Sequence, residues 1–439
     1  MSKLKYDVVV IGSGVGGITC AALLSHKGFR TLVVEKLPFI GGRCAVLEYQ
    51  GIRLPTGVVM VSQELHGAIC KEVGAEFDFQ APESLFTLCL HGQYYDVPYS
   101  NVFRNLVEKS SRNQDEAKRI WQGFKRALAW AEPSRSMNLM EWLNQYTDNP
   151  LVHSAFNLFV AMDTGLNHFE LPAGEFFRFF KETSFVKNMG SLPMAGGSFT
   201  DALVKVIEKN GGQVWSHTQA VEIVISGMAG IGTAAGVTLR RDGETVEVEA
   251  PTVISDAGPQ RTVRLSEQSY FDPGYLKDVD CTRGSPQIVI FALSDSPLLG
   301  ERSMVGFLTT KRIISVMDLS YYCEGLVPKG KHLFECAAFL GSSEPPYDFK
   351  KEIDLALHDL RENIIGFDRH ARILRINCYH GYWGLMRTWA GNSLPIYTPV
   401  EGLYNVGDSN APSGWWGSSA AIKSAQMAAE DIGYRYKPL

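Results

Sequence analysis

The stretch "VVVIGSGVGGITC" at residues 8–20 decides the fold, because it places a glycine-rich turn between a strand and a helix. Residues 8–11 are a continuous β-branched run, which is typical of a strand buried on both faces. The turn that follows fits G-x-G-x-x-G with one additional glycine, and its glycines are Gly12, Gly14, Gly16 and Gly17. Such glycines permit a sharp turn, the approach of a pyrophosphate to the backbone, and close packing of the next helix. The N–H groups at the start of that helix favour a phosphate.

A second strand that ends in an acid supports this interpretation. Residues 31–34 are "TLVV", and Glu35 follows them, 21 residues after Gly14. In dinucleotide-binding folds an acid about 20 residues beyond the glycines accepts hydrogen bonds from the adenosine ribose. Strand, glycine turn, helix, strand and acid occur in the required order. We therefore predict a Rossmann-type nucleotide site, with a purely structural turn and a solvated acid as the alternative.

Length and composition limit the class of protein. The chain has 439 residues, which favours two or more domains. Its net charge is −5 and it has no basic stripe, so we expect no nucleic-acid partner. The eight cysteines form no C-x-x-C pair and predict buried thiols in a reducing compartment. The ten histidines have no metal-ligand spacing, so we predict no metal site.

The same sequence features predict a cytoplasmic protein. The nucleotide-binding strand begins at position 8, which leaves no room for a signal peptide. No apolar run approaches the ~18 residues that would indicate a membrane span. Peripheral membrane contact stays open, since a lipid substrate would require it and no basic amphipathic helix demands it.

Nucleotide-type patterns occur at the start, in the middle and at the end of the chain. The middle one is "PMAGGSFTDALVKVIEKNGGQVW" and the last is "EGLYNVGDSNAPSGWWGSSAAIKSAQMAAEDI". Helix-like, aromatic and irregular segments separate them. This order predicts an α/β, Rossmann-type cofactor-binding domain that is discontinuous in sequence, plus an α+β substrate-binding domain. The predicted cofactor domain comprises 1–75, 193–258 and 393–439, and the substrate domain comprises 76–192 and 259–392.

These motifs resemble those of the FAD-dependent phytoene desaturase and amine oxidase superfamily. The matching segments are "VVVIGSGVGGITCAALL", "VEKLPFIGGR", "PMAGGSFTDAL…NGGQV" and "GLYNVGDSNAPSGWWGSSAAIKSA". They span both termini and the middle of the chain, in the family's order, whereas the substrate-domain segments match only in style. The strongest resemblance is to the phytoene-desaturase-like NAD(P)/FAD-dependent oxidoreductases of bacteria and archaea.

The resemblance implies a set of residues that holds FAD. In the order of the cofactor, the implied roles are Gly12, Gly14, Gly16 and Gly17 at the pyrophosphate; Glu35 at the adenosine ribose; Val221, through its backbone, at the adenine; Lys36 and Arg43 along the nucleotide; Gly42 and Gly57 closing over the dinucleotide; Gly407 and Asp408 at the flavin-side pyrophosphate and ribitol; and Trp416 and Gly417 at the isoalloxazine. The "SGWWGSS" loop holds no cysteine of the kind that anchors flavin covalently in some relatives, so we expect non-covalent FAD.

Two departures from the family pattern bear on the reaction. The stretch "LPTG" that ends at Gly57 lacks the acid that many relatives carry before this glycine. Amine oxidases of the superfamily usually place a lysine near the flavin on a substrate-domain strand, and the comparable stretch here, "SPQIVIFAL" at 285–293, has none. Lys311 is nearby in sequence, but its place relative to the flavin does not follow from the pattern. These departures weaken the amine oxidase interpretation.

The predicted function is therefore that of an FAD-dependent desaturase or dehydrogenase. It would move a hydride from a C–H bond of a hydrophobic or cyclic small molecule to the flavin. The first alternative is a flavin amine oxidase that produces hydrogen peroxide. The second is a non-enzymatic binding protein that resembles the GDP-dissociation inhibitors. The electron acceptor, whether oxygen, a quinone or another cofactor, stays open.

Four tryptophans are candidates for the walls of the substrate pocket. They are Trp383, Trp389, Trp415 and Trp416. Core packing is the alternative for Trp383, Trp415 and Trp416, although the glycines beside Trp416 favour a cavity. No catalytic acid–base pair can be assigned, and His380 and Tyr382 are candidates by position only.

Overall fold

The computed structural model describes residues 4–81, 86–97, 102–130, 136–183 and 188–438. The strands are β1 Leu4–Lys5, β2 Val8–Ile11, β3 Thr31–Val34, β4 Val46–Tyr49, β5 Ile52–Pro55, β6 Val61–Ser62, β7 Phe86–Leu90, β8 Gln93–Val97, β9 Met189–Gly190, β10 Gln213–Trp215, β11 Thr218–Met228, β12 Ile231–Arg241, β13 Glu244–Glu249, β14 Thr252–Ser255, β15 Gln287–Ser294, β16 Met304–Phe307, β17 Ile313–Asp318, β18 His332–Ala338, β19 Ala371–Tyr379 and β20 Leu403–Asn405. The helices are α1 Val15–His26, α2 His66–Val73, α3 Val102–Ser110, α4 Gln114–Leu128, α5 Leu139–Leu143, α6 Pro150–Thr164, α7 Ala173–Glu182, α8 Gly196–Lys209, α9 Pro259–Arg264, α10 Pro273–Asp280, α11 Phe349–Asn363, α12 Phe367–His370 and α13 Gly417–Arg435.

A five-stranded parallel sheet forms the centre of the nucleotide-binding part. Its strand order is β10-β3-β2-β14-β20, and every neighbouring pair is parallel. β2, β3, β14 and β20 are fully buried, as their β-branched and apolar composition predicts for a sheet that is covered on both sides. The sheet therefore joins strands from three separated segments of the sequence.

Helices cover one face of this sheet and a β-ribbon covers the other. α1 packs between α8 and α13, and its small residues let the helix axes come close. On the opposite face, β11, β12 and β13 form antiparallel pairs whose apolar side chains share one core cluster with β2 and β14. The ribbon that the alternating pattern predicts thus forms, although β11 and β12 are longer than the predicted strands.

A second, seven-stranded sheet forms the other half of the molecule. Its order is β19-β15-β18-β17-β16-β7-β8, with one parallel pair, β16 with β7. α11 packs on one face, and the other face looks toward α3 and α6. α6 begins at Pro150 because the Asn149 side chain accepts a hydrogen bond from the Leu151 N–H. The parallel sheet and this mixed half confirm the predicted fold class, while the domain boundaries stay a prediction.

Cysteine burial follows the sequence expectation at six positions of eight. Cys378 is half-buried, and Cys281 is exposed because it ends α10 at the surface, so the expectation of a buried thiol is wrong there.

No three metal-ligating side chains come together among the described residues. Within the same ranges, no helix combines the length and the apolar character that crossing a bilayer requires.

Helices α3 to α7 share one apolar core cluster, and we call them the helical layer. The packing of this layer generates a stability prediction. Phe176 on α7 is fully buried and its ring contacts those of six other phenylalanines, whereas Phe169 is 40% exposed. Phe176→Ala should lower the free energy of unfolding by about 3–5 kcal/mol, because it removes a large side chain from a close-packed core. Phe169→Ala should change it by only about 0.5 kcal/mol. Urea denaturation measures both variants, and equal losses would contradict the described packing.

Candidate active site

The carboxyl ends of the parallel strands bring the polar residues of the site to one edge of the sheet. Gly12 follows β2, Glu35 follows β3, Asp256 follows β14, and Asp408 comes three residues after β20. Ligands of open parallel sheets bind outside this edge, because loops and helix N-termini meet there. The N-termini of α1 and α13 both lie at the same place, and their first residues line one cavity.

Close approach explains two of the glycines in that cavity. A β-carbon at Gly16 would lie 2.7 Å from the backbone nitrogen of Gly407, so the N-terminal and C-terminal motifs touch there. A β-carbon at Gly14 would clash with Oδ2 of Asp256. Any side chain at either position would also fill the space in front of the α1 N-terminus. We call the surface formed by Gly14, Gly16 and Gly407 the glycine cradle. A cradle of this kind, at two helix N-termini, fits the pyrophosphate of a dinucleotide.

Arg43 and Asp408 form an ion pair beside the glycine cradle, in which Asp408 is buried and Arg43 is half-buried. Arg43 Nη1 lies 2.9 Å from Asp408 Oδ2, and Arg43 Nη2 lies 2.7 Å from Oδ1, which is a bidentate geometry. Arg43 Nη1 also donates to the carbonyls of Gly384 and Leu385. Burial acts to raise the pKa of Asp408, but Arg43 and Arg387 outweigh this effect and hold the pKa below its usual value. Asp408 is therefore a carboxylate.

Glu35 lies outside this cavity, at the predicted adenosine end. Its side chain is buried, and Oε2 accepts hydrogen bonds from the N–H and the hydroxyl of Ser13 at 3.0 and 2.8 Å. Lys36 is exposed at the surface. In the β11–β12 pairing Ala220 faces Leu239 and Glu222 faces Thr238, so Val221 forms a bulge, which changes how its backbone faces the neighbouring strand.

One continuous cavity of about 940 Å³ extends from the glycine cradle to an aromatic wall. Of the residues with an implied cofactor role, the structure brings to this cavity Gly14, Gly16, Arg43, Gly57, Gly407, Asp408, Trp416 and Gly417. It places Gly12, Gly17 and Gly42 just behind this surface, against the backbone and side-chain atoms of their neighbours. The far wall is apolar and includes Phe103, Trp121, Phe159, Met162, Phe179 and Met317.

The structure brings only two of the four candidate tryptophans to the cavity. Trp383 and Trp416 line it. Trp415 packs into the core beside α13, and Trp389 packs against the helical cluster away from the cavity wall. His380 lies outside the cavity as well, in shallower surface depressions that Tyr382 also lines.

Glu175 holds Trp416 in place. Glu175 Oε1 accepts hydrogen bonds from the Trp416 indole N–H at 2.9 Å and from the Gly414 N–H at 2.7 Å, and Oε2 accepts one from the Ser413 hydroxyl. The Trp416 ring stacks on Phe179 with centroids 4.0 Å apart. The loop before α13 is thereby fixed to the helical layer, which orients the indole at the middle of the cavity.

Two acids accompany the apolar wall. Asp163 on α6 lines the cavity with an exposed side chain, and desolvation by the surrounding protein raises its pKa to about 7. Glu335 on β18 pairs in register with Met317 of the wall, and burial raises its pKa to about 8. Both carboxyls are therefore largely neutral in mildly acidic solution, which suits an apolar cavity.

Sequence reasoning missed Asp256, Arg387 and Glu175 as site residues. The signal for Asp256 was present, because "TVISD" repeats the pattern of a buried strand that ends in an acid, as "TLVVE" does. Arg387 donates its backbone N–H to Asp408 Oδ2 at 2.9 Å, and its guanidinium contacts Asp256. Neither Arg387 nor Glu175 carries a local sequence signal, since each acts across elements that are distant in the chain.

Comparisons with known proteins agree with this architecture. Residues 10–64 match the model of the NAD(P)-binding Rossmann-like domain. An uncharacterized protein of Methanocaldococcus jannaschii is 26% identical over 405 residues, which are 91% of this chain and 92% of that protein. The all-trans-retinol 13,14-reductase of Danio rerio is 24% identical over 57% of this chain and 47% of its own length. A phytoene desaturase of Fusarium fujikuroi is 46% identical over 57 residues, which are 13% of this chain and 10% of that protein.

Solved structures share the fold over the whole chain. An oxidoreductase from Methanosarcina mazei superposes with a TM-score of 0.85 at 26% identity, covering 97% of this chain and 100% of that one. Putrescine oxidase bound to putrescine has a TM-score of 0.70 at 15% identity, covering 99% and 100%. These findings confirm the resemblance to the phytoene-desaturase-like oxidoreductases, and the likeness to putrescine oxidase shows a shared fold. The predicted class, an oxidoreductase with a nucleotide-binding Rossmann domain, is confirmed at that level.

The ion pair of Arg43 and Asp408 generates a prediction about stability. Arg43→Met should lower the free energy of unfolding by about 3–5 kcal/mol, because it leaves the Asp408 carboxylate buried without its partner. The double variant Arg43→Met/Asp408→Asn should recover most of this loss, since it removes both charges. Lys5→Met is the control, because the Lys5–Glu249 pair is exposed and should contribute at most about 1 kcal/mol. Denaturant unfolding without added nucleotide tests all three, and additive losses in the double variant would contradict the pairing.

Proposed function

We propose that this protein is an oxidoreductase with non-covalent FAD that acts on a hydrophobic small molecule. The observation that supports this most strongly is the single cavity that is polar and glycine-lined at one end and aromatic at the other. A dinucleotide needs the first kind of surface, and an apolar substrate needs the second. A cavity that contains both would let a substrate lie beside the reactive end of the cofactor.

The chain's own residues would hold the successive parts of the cofactor. Glu35 and the Val221 backbone would bind the adenosine end, with Lys36 nearby at the surface. The glycines at 12, 14, 16 and 17 and the α1 N-terminus would take the pyrophosphate. Asp408, oriented by Arg43, would accept hydrogen bonds from hydroxyl groups. When bound, the flavin accepts or donates a hydride. The α13 N-terminus at Gly417 would stabilise negative charge beside it.

The apolar wall would exclude water from the reacting carbon. Phenylalanine, methionine and tryptophan side chains offer few hydrogen bonds to water, and Trp416 is held rigidly by Glu175. Phytoene desaturase and retinol reductase are enzymes of hydrophobic polyenes by name, which supports a hydrophobic substrate here. One of these names describes desaturation and the other reduction, so the direction of hydride transfer has to be measured.

Anaerobic flavin spectroscopy with two probes tests the proposal. Bleaching of the flavin by phytoene would indicate dehydrogenation, and reoxidation of dithionite-reduced flavin by all-trans-retinol would indicate alkene reduction. Trp416→Ala should slow the productive reaction at least about tenfold, or about 1.4 kcal/mol in the barrier, because substrate orientation is lost. Tyr434→Ala on the exposed side of the same helix should leave the rate unchanged. A Trp416→Ala rate equal to that of the wild type would contradict the pocket role of Trp416.

The raised pKa of Asp163 predicts how ligand affinity depends on pH. The carboxyl is neutral below about 7 and charged above it, and a charged carboxylate resists enclosure by an apolar ligand. The Kd for retinol should therefore rise as the pH increases above 7, and Asp163→Asn should remove this dependence. Glu335→Gln should leave the change of the retinol Kd near pH 7 unaltered, since Glu335 titrates near 8.

The pH dependence of ligand binding at Asp163 also distinguishes a hydrophobic substrate from an amine substrate. Putrescine is a cation at these pH values, so it would prefer the ionised Asp163 and bind more tightly as the pH rises. Retinol fluorescence and calorimetry with putrescine measure the two profiles. Tight putrescine binding that strengthens above pH 7, with peroxide formation in air, would favour a flavin amine oxidase instead. Reoxidation of the reduced protein by oxygen or by a quinone then identifies the electron acceptor.

A further inference from the structure

Asp256 places a carboxylate at the position where the glycine cradle would receive a phosphate. Its side chain is 3% exposed and lies directly after β14, against the first turn of α1. A β-carbon at Gly14 would clash with its Oδ2, and a β-carbon at Gly407 would lie 2.7 Å from its Oδ1. The carboxyl group therefore lies between the N-terminal and C-terminal glycine motifs and contacts both of them.

The surroundings of Asp256 are those of a bound anion. It packs against Gly17 in the first turn of α1, whose backbone N–H acts to lower the pKa of the carboxyl. Such N–H groups, together with the helix dipole, are what a phosphate uses at this position. An ionised Asp256 and a pyrophosphate would therefore compete for one positive helix end, at close range and away from water.

Nearby charges compensate Asp256 only partly. The charged and titratable groups that face Asp256 are Arg387, in the loop between β19 and β20, Arg43 and Asp408 across the glycine cradle, and the Cys20 thiol on α1. The Arg387 guanidinium binds the Asp256 backbone carbonyl and lies 3.5 Å from Oδ1. Oδ2 is buried without a hydrogen-bond partner in the described part of the chain, and so is Arg387 Nε. Burial raises the pKa of Asp256 to about 6 against the opposing effect of Arg387.

We propose that Asp256 couples dinucleotide binding to the uptake of one proton. The proton comes from solvent and joins the carboxyl, whose O–H then donates to a phosphate oxygen in place of a repulsive contact between two anions. Asp256 is thus a positioning residue that makes cofactor affinity depend on pH. The inference rests on the proposed function, since it assumes that the cradle holds the pyrophosphate of FAD.

The test is the affinity of the apoprotein for FAD between pH 5.5 and 8, measured by flavin fluorescence. For the wild type the Kd should be flat below pH 6 and rise about tenfold per pH unit above it. Asp256→Asn keeps the shape and is always neutral, so its Kd should be independent of pH and about 100-fold lower than that of the wild type at pH 8. Asp354→Asn, an exposed change on α11, should retain the wild-type profile.

Calorimetry in buffers of different ionisation enthalpy supplies a second measurement. At pH 7 the wild type should take up close to one proton per FAD bound, and Asp256→Asn should take up none. Circular dichroism and the unfolding midpoint show whether the variant is folded. A pH profile shared by the wild type and Asp256→Asn, or weaker binding by the variant at every pH, would overturn this inference alone. If neither protein binds FAD at any pH, the proposed function fails and the inference with it.

Discussion

The bidentate contact between Arg43 and Asp408 is the constraint on which the site depends. It joins a loop from the N-terminal segment to the end of the last strand, and it ties both to the backbone at Gly384 and Leu385. Because the Asp408 carboxylate is buried, it is stable only with a charged partner. The pair therefore holds three distant parts of the chain in one arrangement beside the glycine cradle.

That arrangement brings two unlike surfaces into one cavity. The parallel sheet supplies helix N-termini and carboxylates at its carboxyl edge, which suit a charged dinucleotide. The seven-stranded sheet and the helical layer supply phenylalanine and methionine side chains, which suit an apolar ligand. Trp416 lies where the surfaces meet, and Glu175 fixes it from the helical side. The pKa values of Asp163 and Glu335 are raised, so both carboxyls favour the neutral form that is compatible with apolar surroundings.

Local sequence patterns predicted the nucleotide-binding half well, and they did so for physical reasons. A buried parallel strand, a glycine turn and a terminal acid are set by neighbours in sequence, so Gly14, Glu35 and Asp408 could be singled out without coordinates. The tryptophans could not be sorted in this way. Trp415 and Trp416 are adjacent, yet one packs into the core and the other lines the cavity. Their environments differ because Trp416 contacts Phe179 and Glu175, which lie on α7, about 240 residues away in the sequence.

The most direct test of the account is the visible absorption spectrum of the purified protein after addition of FAD and removal of the excess, before and after denaturation. We expect the bands of an oxidised flavin that are retained by the folded protein, perturbed by all-trans-retinol, and released into solution when the protein unfolds. A colourless protein that FAD cannot restore would contradict it, because the glycine cradle between Gly14 and Gly407 would then hold no flavin dinucleotide.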